Sequence, residues 1–267
     1  MSTPAGQRDG QATRPDEERW RKLLTQGHRP LSVARHTFRL VPSAPRCKVC
    51  ANPFGGVGGR LFALAGYRRS RKNPNLCTRC CDSLPAGGAE VDIAVLFADV
   101  RGSTQMGERT QARDFAELLN RFYAAATKVL LRHDAVIDKM IGDEVMALFV
   151  PGISGPGYRR RAVEAAVDVL RSVGYGSEEG PWLTVGAAVN AGPAYVGNVG
   201  SEGVMDFTAL GDPVNVAARV QAQAAGGQVI VAAELGEELP EGLGRSRRQG
   251  FELRGHDEPF AALVLSV

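Results

Sequence analysis

Three groups of residues in this sequence have the types and the spacing to do chemistry. The first is a pair of carboxylates, Asp99 and Asp143. Asp99 lies in VDIAVLFADVRGST, residues 91–104, where 93–97 is a continuous apolar run rich in β-branched residues, the pattern of a strand buried on both faces. Asp143 lies in DKMIGDEVMALF, residues 138–149, which reads as the body of a hairpin with strands over 136–141 and 145–149 and Gly142-Asp143 as its two-residue turn. If these strands are neighbours, the carboxylates converge. Converging carboxylates make a hard oxygen site for Mg²⁺ or Mn²⁺, ions that keep several waters and take phosphate oxygens as further ligands. Taken alone, an aspartate after a glycine in a hairpin is equally a plain turn residue.

The second group is CKVC at 47–50 followed, after 26 residues, by CTRCC at 77–81. Paired CxxC knuckles present four thiolates tetrahedrally, so Cys47, Cys50, Cys77 and Cys80 are expected to bind one structural Zn²⁺, with iron as the alternative that the same spacing allows. The loop between the knuckles is glycine-rich, offers only Phe54, Leu61, Phe62 and Leu64 as a small core, and depends on a metal to hold it. Cys81 is left over, either a further thiol for redox chemistry or a small buried residue. Residues 55–59, GGVGG, are not a phosphate-binding loop, because no Gly-Lys-Ser/Thr follows. Arg68, Arg69, Arg71 and Lys72 lack interleaved aromatics, so they read as a solvated loop and nucleic acid is not expected as a partner.

The third group is dispersed. Lys139 precedes Gly142 by three residues, Thr208 precedes Gly211 by three, and Asn215 and Arg219 are four apart on the helix expected after Gly211, hence on one helical face. Taken singly, these are an exposed strand lysine and a capping and surface pair.

The elements that must position these groups alternate in type. After the strand at 91–97, helices are expected near 104–108 and over 112–131, where Phe115, Leu118, Leu119, Phe122 and Tyr123 fall at helical spacing. The hairpin follows, then a helix over 158–173, strands over 183–190, 194–199 and 207–210, a helix over 213–224 with proline in its first turn, and strands over 229–232, 251–254 and 261–267. This is an α+β sheet with helices packed on it. Residues 1–45 are expected to be largely disordered, apart from a short helix over 16–26 with Trp20, Leu23 and Leu24 on one face; 27–45 reads as an irregular basic connector. The cysteine module is placed at 46–82, a Pro/Gly linker at 83–90 and the large domain at 91–267.

The net charge of +3 hides an asymmetry. Residues 1–90 carry 16 Lys/Arg against 6 Asp/Glu, and 91–267 carry 16 against 23, so a basic N-terminal part faces an acidic domain with which it is expected to pair. No apolar run reaches membrane-spanning length, no signal peptide is visible, and the clustered cysteines read as metal ligands rather than disulfides, so a cytoplasmic protein is expected.

In that order, FADVRGST, KMIGDEVMA and FTALGDPVNVAAR resemble the signature of class III nucleotidyl cyclases, from about Val91 to the C-terminus. The resemblance implies a ferredoxin-like βαββαβ core and conversion of ATP to 3′,5′-cyclic AMP and pyrophosphate. It implies that Asp99 and Asp143, with the backbone carbonyl of Val100, hold two Mg²⁺ or Mn²⁺ ions per active site. It implies that Lys139 donates to a ring nitrogen of adenine, and that Thr208, where many adenylate cyclases carry aspartate, meets the adenine amino group. A threonine there resembles the subgroup that responds to bicarbonate, although a hydroxyl both donates and accepts and so selects a base less firmly. Asn215 is implied to position the ribose and Arg219 to stabilise transition-state charge. Arg254, in the expected strand ELRG, is implied to reach the triphosphate where a lysine is more usual. In such cyclases ATP lies between two catalytic domains, one giving the metal aspartates and the other the base, ribose and arginine residues. One copy of each set in this chain implies a head-to-tail homodimer with two equivalent sites. A guanylate cyclase, against which Lys139 argues, and a catalytically silent metal- or redox-sensing module, against which the complete residue set argues, are the alternatives.

Overall fold

The apolar run at 93–97 becomes part of an interior strand of the sheet. In the computed structural model, which describes residues 14–27, 29–41, 45–71, 75–85, 87–201, 204–239, 245–255 and 258–267, that run lies in strand β1 (Gly88–Val100). Helices α1 (Arg14–Gln26) and α2 (Arg29–Arg39) precede it, as do α3 (Gly56–Leu64) and α4 (Thr78–Ser83) of the cysteine module. After β1 come α5 (Ser103–Arg109), α6 (Ala112–Arg132), β2 (Val136–Ile141), β3 (Glu144–Phe149), α7 (Pro151–Ser154), α8 (Tyr158–Ser172) and β4 (Val185–Ser201). The chain continues through β5 (Val204–Leu210), α9 (Asp212–Gln221), β6 (Gln228–Ala232), a 3₁₀ segment Ala233–Glu238, β7 (Arg245–Phe251) and β8 (Phe260–Ser266).

The strands form one sheet in the order β2-β3-β1-β4-β6-β8-β7, with β5 paired to β4. β1 runs antiparallel to both neighbours, and β4 runs parallel to β6. The stretch β1-α6-β2-β3-α8-β4 therefore has the βαββαβ connectivity and the 4-1-3-2 strand order of a ferredoxin-like core.

Side chains alternate between the faces of β1 and sort the core into two layers. Ala94, Leu96, Ala98 and Val100 pack against α6 and α8 through Phe122, Val129, Leu130, Val163 and Leu170. Ile93, Val95 and Phe97 face the other way, onto Trp20, Leu24, Val49, Leu76 and Cys77. The N-terminal region is thus the second layer of the sheet.

That arrangement corrects the expectation of a largely disordered segment at 1–45. Residues 1–13 lie outside the described residues, but α1 is a helix with Trp20 and Leu24 fully buried, and the expected basic connector contains α2. Leu31, Ala34 and Phe38 are spaced as one helical face and pack on the core with the buried Arg35 beside them, while His36 is exposed and Arg39 half-buried. The linker is shorter than expected, since α4 ends at Ser83 and β1 starts at Gly88. The two strands expected over 183–199 are one, because β1 pairs with β4 continuously from Val185 to Gly197 and carries it through Gly192-Pro193. The strand expected at 251–254 ends at Phe251, so Arg254 lies in the turn beyond it. Leu61 and Leu64 are exposed rather than core, and Phe38, from α2, takes their place against Phe62 and Tyr67. Among the described residues no helix is long and apolar enough to cross a membrane.

Candidate active site and cysteine centre

Asp99 and Asp143 come together because β1 and β3 are paired. Asp99 sits opposite Glu144 in the register, and the Val100 N–H donates to the Asp143 carbonyl at 3.3 Å. The β2–β3 turn is tight because Gly142 takes φ +63°, a left-handed conformation that glycine adopts without strain. The Asp99 carboxyl is pushed up to about 6, first by burial and then by its contact with Asp143; the Arg101 guanidinium opposes this without cancelling it. Burial and the Asp143 charge raise Glu144 as well. Arg101 Nη2 donates to Asp99 Oδ2, and its Nη1 donates to the Ala222 carbonyl at 3.2 Å, tying this corner to the end of α9. The pair is short of positive charge even with a guanidinium beside it, and its oxygen donors fit Mg²⁺ or Mn²⁺.

Lys139 and Thr208 also meet, on a different part of the sheet. Lys139 Nζ donates to Thr208 Oγ1 at 2.9 Å, and the Thr208 hydroxyl donates to Asp138 Oδ2 at 2.6 Å. Asp138 is buried beside a register shift in β2, and its other oxygen accepts from Lys48 Nζ at 2.8 Å. Lys48 lies between Cys47 and Cys50; its ammonium also reaches Asp206 Oδ1 at 2.8 Å and the Phe207 carbonyl at 3.0 Å. Asn75 donates to the same Asp206 oxygen at 2.8 Å, and the Trp20 ring stacks on Phe207 with centroids 5.9 Å apart.

Asn215 and Arg219 occupy the exposed face of α9, whereas Gln221, two residues on, is buried and bonds inward beside Asp99. Arg219 Nη1 donates to the backbone carbonyl of Arg254, whose side chain is exposed. Among the described residues no hydrogen bond or ion pair joins Asn215, Arg219, Lys139 or Thr208 to Asp99 or Asp143.

The four cysteines of the two knuckles are buried, and their sulfurs lie within 4.8 Å of one another. A tetrahedral centre with metal–sulfur bonds of ~2.3 Å needs sulfurs about 3.8 Å apart, and Cys50 Sγ and Cys77 Sγ are 3.7 Å apart. The knuckle backbone points N–H groups at sulfur, from Cys77 to Cys47 Sγ at 3.3 Å and from Cys80 to Cys77 Sγ at 3.4 Å. Burial would keep the Cys47 thiol protonated, but donation from Cys50, Cys77 and Cys80 outweighs it and draws Cys47 well below the ordinary thiol range. Contact with Cys47 pushes Cys50 and Cys80 up in turn. Four buried sulfurs gathered at this spacing fit a soft cation. Cys81 is half-buried against the same core.

Sequence reading gave no role to Lys48, Asp138, Asp206 or Arg35. The buried Arg35 guanidinium, in α2, donates to the carbonyls of Lys48 at 3.2 Å, Val49 at 2.6 Å and Ala135 at 2.8 Å, joining the first knuckle to the start of β2. One signal for Asp138 exists: the alternation that turns Val136 inward also turns Asp138 inward, and a buried carboxylate requires a cation.

Comparison with known proteins agrees with the fold. Residues 88–265 match the family of adenylate and guanylate cyclase catalytic domains. The uncharacterized protein Rv1319c of Mycobacterium tuberculosis is 33% identical over 220 residues, covering 79% of this chain and 37% of that protein, so the chain spans little more than a third of the length of such curated relatives. Among solved structures, the guanylyl cyclase Cya2 superposes with a TM-score of 0.59 at 26% identity, covering 67% of this chain and 93% of its own. The adenylyl cyclase CyaB from P. aeruginosa does so with a TM-score of 0.58 at 25% identity, covering 67% and 94%.

Proposed function

This chain belongs to the family of adenylate and guanylate cyclase catalytic domains, and on that premise we propose that it converts ATP to 3′,5′-cyclic AMP and pyrophosphate as a head-to-tail homodimer. The family contains cyclases for both bases, so the choice of ATP rests on the base-facing residues. The observation that carries it is the Lys139 ammonium beside the Thr208 hydroxyl. An ammonium only donates; adenine offers an unprotonated ring nitrogen on its pairing edge, where guanine carries N–H.

In this reaction the 3′ oxygen forms a bond to the α-phosphorus, the bond from that phosphorus to the pyrophosphate oxygen breaks, and the 3′ proton leaves to water. Asp99, Asp143 and the Val100 carbonyl would hold two divalent ions, which when bound supply Lewis acidity to the 3′ hydroxyl and neutralise the triphosphate. The protein's own groups do the rest. Asn215 orients the ribose. Arg219 presents a forked donor to charge that develops on the phosphate oxygens. Arg254 adds positive charge near the triphosphate. One copy of each set in the chain, with no hydrogen bond or ion pair joining them among the described residues, supports a site shared between two chains, each giving one set.

The four buried cysteine sulfurs support one structural Zn²⁺ per chain, held by Cys47, Cys50, Cys77 and Cys80. Five cysteines without a disulfide suit a reducing compartment, and this reading places the protein in the cytoplasm.

The test is incubation of the purified chain with ATP or GTP and Mn²⁺, with mass-spectrometric identification of the product. Cyclic AMP is expected in excess. Preferential cyclic GMP would move the assignment to a guanylate cyclase, and no cyclic product from a folded dimer would remove catalysis from it.

A further inference from the structure

We propose that Asp138 commits the Thr208 hydroxyl to act as an acceptor, making the base pocket selective for adenine, and that Lys48 of the cysteine knuckle holds Asp138 in that role. The inference rests on the adenylate cyclase reading of the same pocket.

A threonine hydroxyl has one proton and two lone pairs, and it rotates. Left free, it accepts from the 6-amino group of adenine or donates to the 6-oxo group of guanine, and so distinguishes neither. Here the rotation is fixed. Asp138 Oδ2 lies 2.6 Å from Thr208 Oγ1, and a carboxylate only accepts, so the hydroxyl proton belongs to Asp138. Lys139 Nζ, at 2.9 Å, only donates and takes one of the lone pairs. Toward a base, Thr208 therefore has lone-pair density alone. Adenine meets it with N–H. Guanine meets it with oxygen, which sets two acceptors face to face at the buried Thr208.

Asp138 is held from the far side. Lys48 Nζ bonds Asp138 Oδ1, Asp206 Oδ1 and the Phe207 carbonyl. One ammonium thus grips the residue before Lys139 and the two residues before Thr208, fixing β2 and β5 relative to each other. The Lys48 backbone is fixed in turn: its N–H donates to the Asn75 carbonyl at 3.0 Å and its carbonyl accepts from Arg35. Asp138 and Lys48 are positioning residues, since neither reaches the reacting atoms.

The experiment compares kcat/KM for ATP and GTP in the unsubstituted 267-residue chain and in Asp138→Asn. Ammonium groups flank both oxygens of Asp138, Lys48 at 2.8 Å and Lys139 at 3.5 Å, so the amide oxygen of the new side chain takes the closer Lys48 and the NH₂ faces Thr208. The hydroxyl is then released from its acceptor and free to donate to guanine. The ATP-to-GTP ratio of kcat/KM is expected to fall at least tenfold. A role confined to stability would lower both values together, and an unchanged ratio in folded Asp138→Asn overturns the proposal. Thr208→Asn keeps Asp138 intact and serves if Asp138→Asn does not fold. Its NH₂ must turn to Asp138 and its oxygen to the base, so ATP stays preferred; loss of that preference overturns the proposal equally. The unsubstituted chain separates the two levels. If it prefers GTP, the adenylate reading fails and the proposal with it; if it prefers ATP while the variants miss these outcomes, only the proposal fails.

Discussion

Trp20→Ala tests whether the N-terminal helix is part of the catalytic body. Trp20 is completely buried on the sheet face that carries Val95 and Phe97, and its ring stacks on Phe207 at 5.9 Å with an interplanar angle of 21°. A tryptophan buries on the order of 200 Å², and at ~25 cal/mol per Å² this corresponds to about 5 kcal/mol of transfer free energy. Alanine retains a small part of that, the stack adds about 1 kcal/mol to the loss, and partial collapse of the cavity returns some, so a net loss of about 4 kcal/mol is expected. For a chain of 267 residues, an unfolding entropy of ~2.1 cal/mol/K per residue converts this to a fall in Tm of about 7 °C. Urea unfolding followed by tryptophan-independent circular dichroism measures the free energy, and scanning calorimetry measures Tm. Trp20→Phe, which keeps an aromatic on Phe207, is expected to lose less than half as much. A loss below about 1 kcal/mol for Trp20→Ala, the level of a surface change, would show that α1 does not pack on the sheet in solution.

Asp99→Ala and Asp143→Ala are each expected to lower the cyclase rate by at least ~10³-fold with the circular dichroism spectrum unchanged, since each removes a metal carboxylate; near-normal turnover in either would refute the metal assignment. Mixing inactive Asp99→Ala with inactive Arg219→Ala is expected to restore activity, because one of the two sites in a mixed dimer is free of both changes; no recovery after demonstrated subunit exchange would rule out a shared site. Elemental analysis of protein prepared without added metal is expected to give about one zinc per chain, and a coloured, iron-containing protein would overturn the zinc assignment. Asp99, held near 6 by burial and Asp143, binds its proton below that pH and cannot then ligate an ion, so the metal-dependent rate is expected to fall as pH drops through about 6. Protons and metal compete, so raising Mn²⁺ must move the midpoint downward; a midpoint indifferent to Mn²⁺ would refute the assignment.

What was legible in the sequence was local. The run at 93–97 and the Gly142-Asp143 turn specify a buried strand and a hairpin from near neighbours alone, and the two knuckles specify a four-sulfur cluster from spacing alone. Long-range burial was less visible. Lys48 looks like a solvent-facing knuckle residue until Asp138 and Asp206, 90 and 158 positions away, are brought to it. The helix α2 was hidden by charge: with Arg29, Arg35, His36 and Arg39 in eleven residues, its apolar face of Leu31, Ala34 and Phe38 was outweighed in composition. Arg254 was misplaced for the usual reason that strand ends depend on the partner strand, and β7 pairs with β8 only as far as Phe251.

The manner in which the knuckle grips the sheet decides how a disturbance of the sulfur cluster is felt. Lys48 and Asp138 are both withdrawn from water, with side chains 6% and 0% exposed, and Arg35 binds the knuckle and the Ala135 carbonyl at once. Pulling Lys48 away leaves the buried Asp138 with only the Thr208 hydroxyl and, at 3.5 Å, the Lys139 ammonium to answer its charge, at a cost of up to about 3–5 kcal/mol. By that figure only about one chain in 10² to 10⁴ is disengaged at rest. A weaker perturbation raises that fraction by degrees, about tenfold for every 1.4 kcal/mol. Within each chain the release is all at once, since one ammonium holds Asp138, Asp206 and the Phe207 carbonyl. The knuckle is thus a clutch that each chain holds or lets go whole, and a population of chains would respond in proportion to the fraction released.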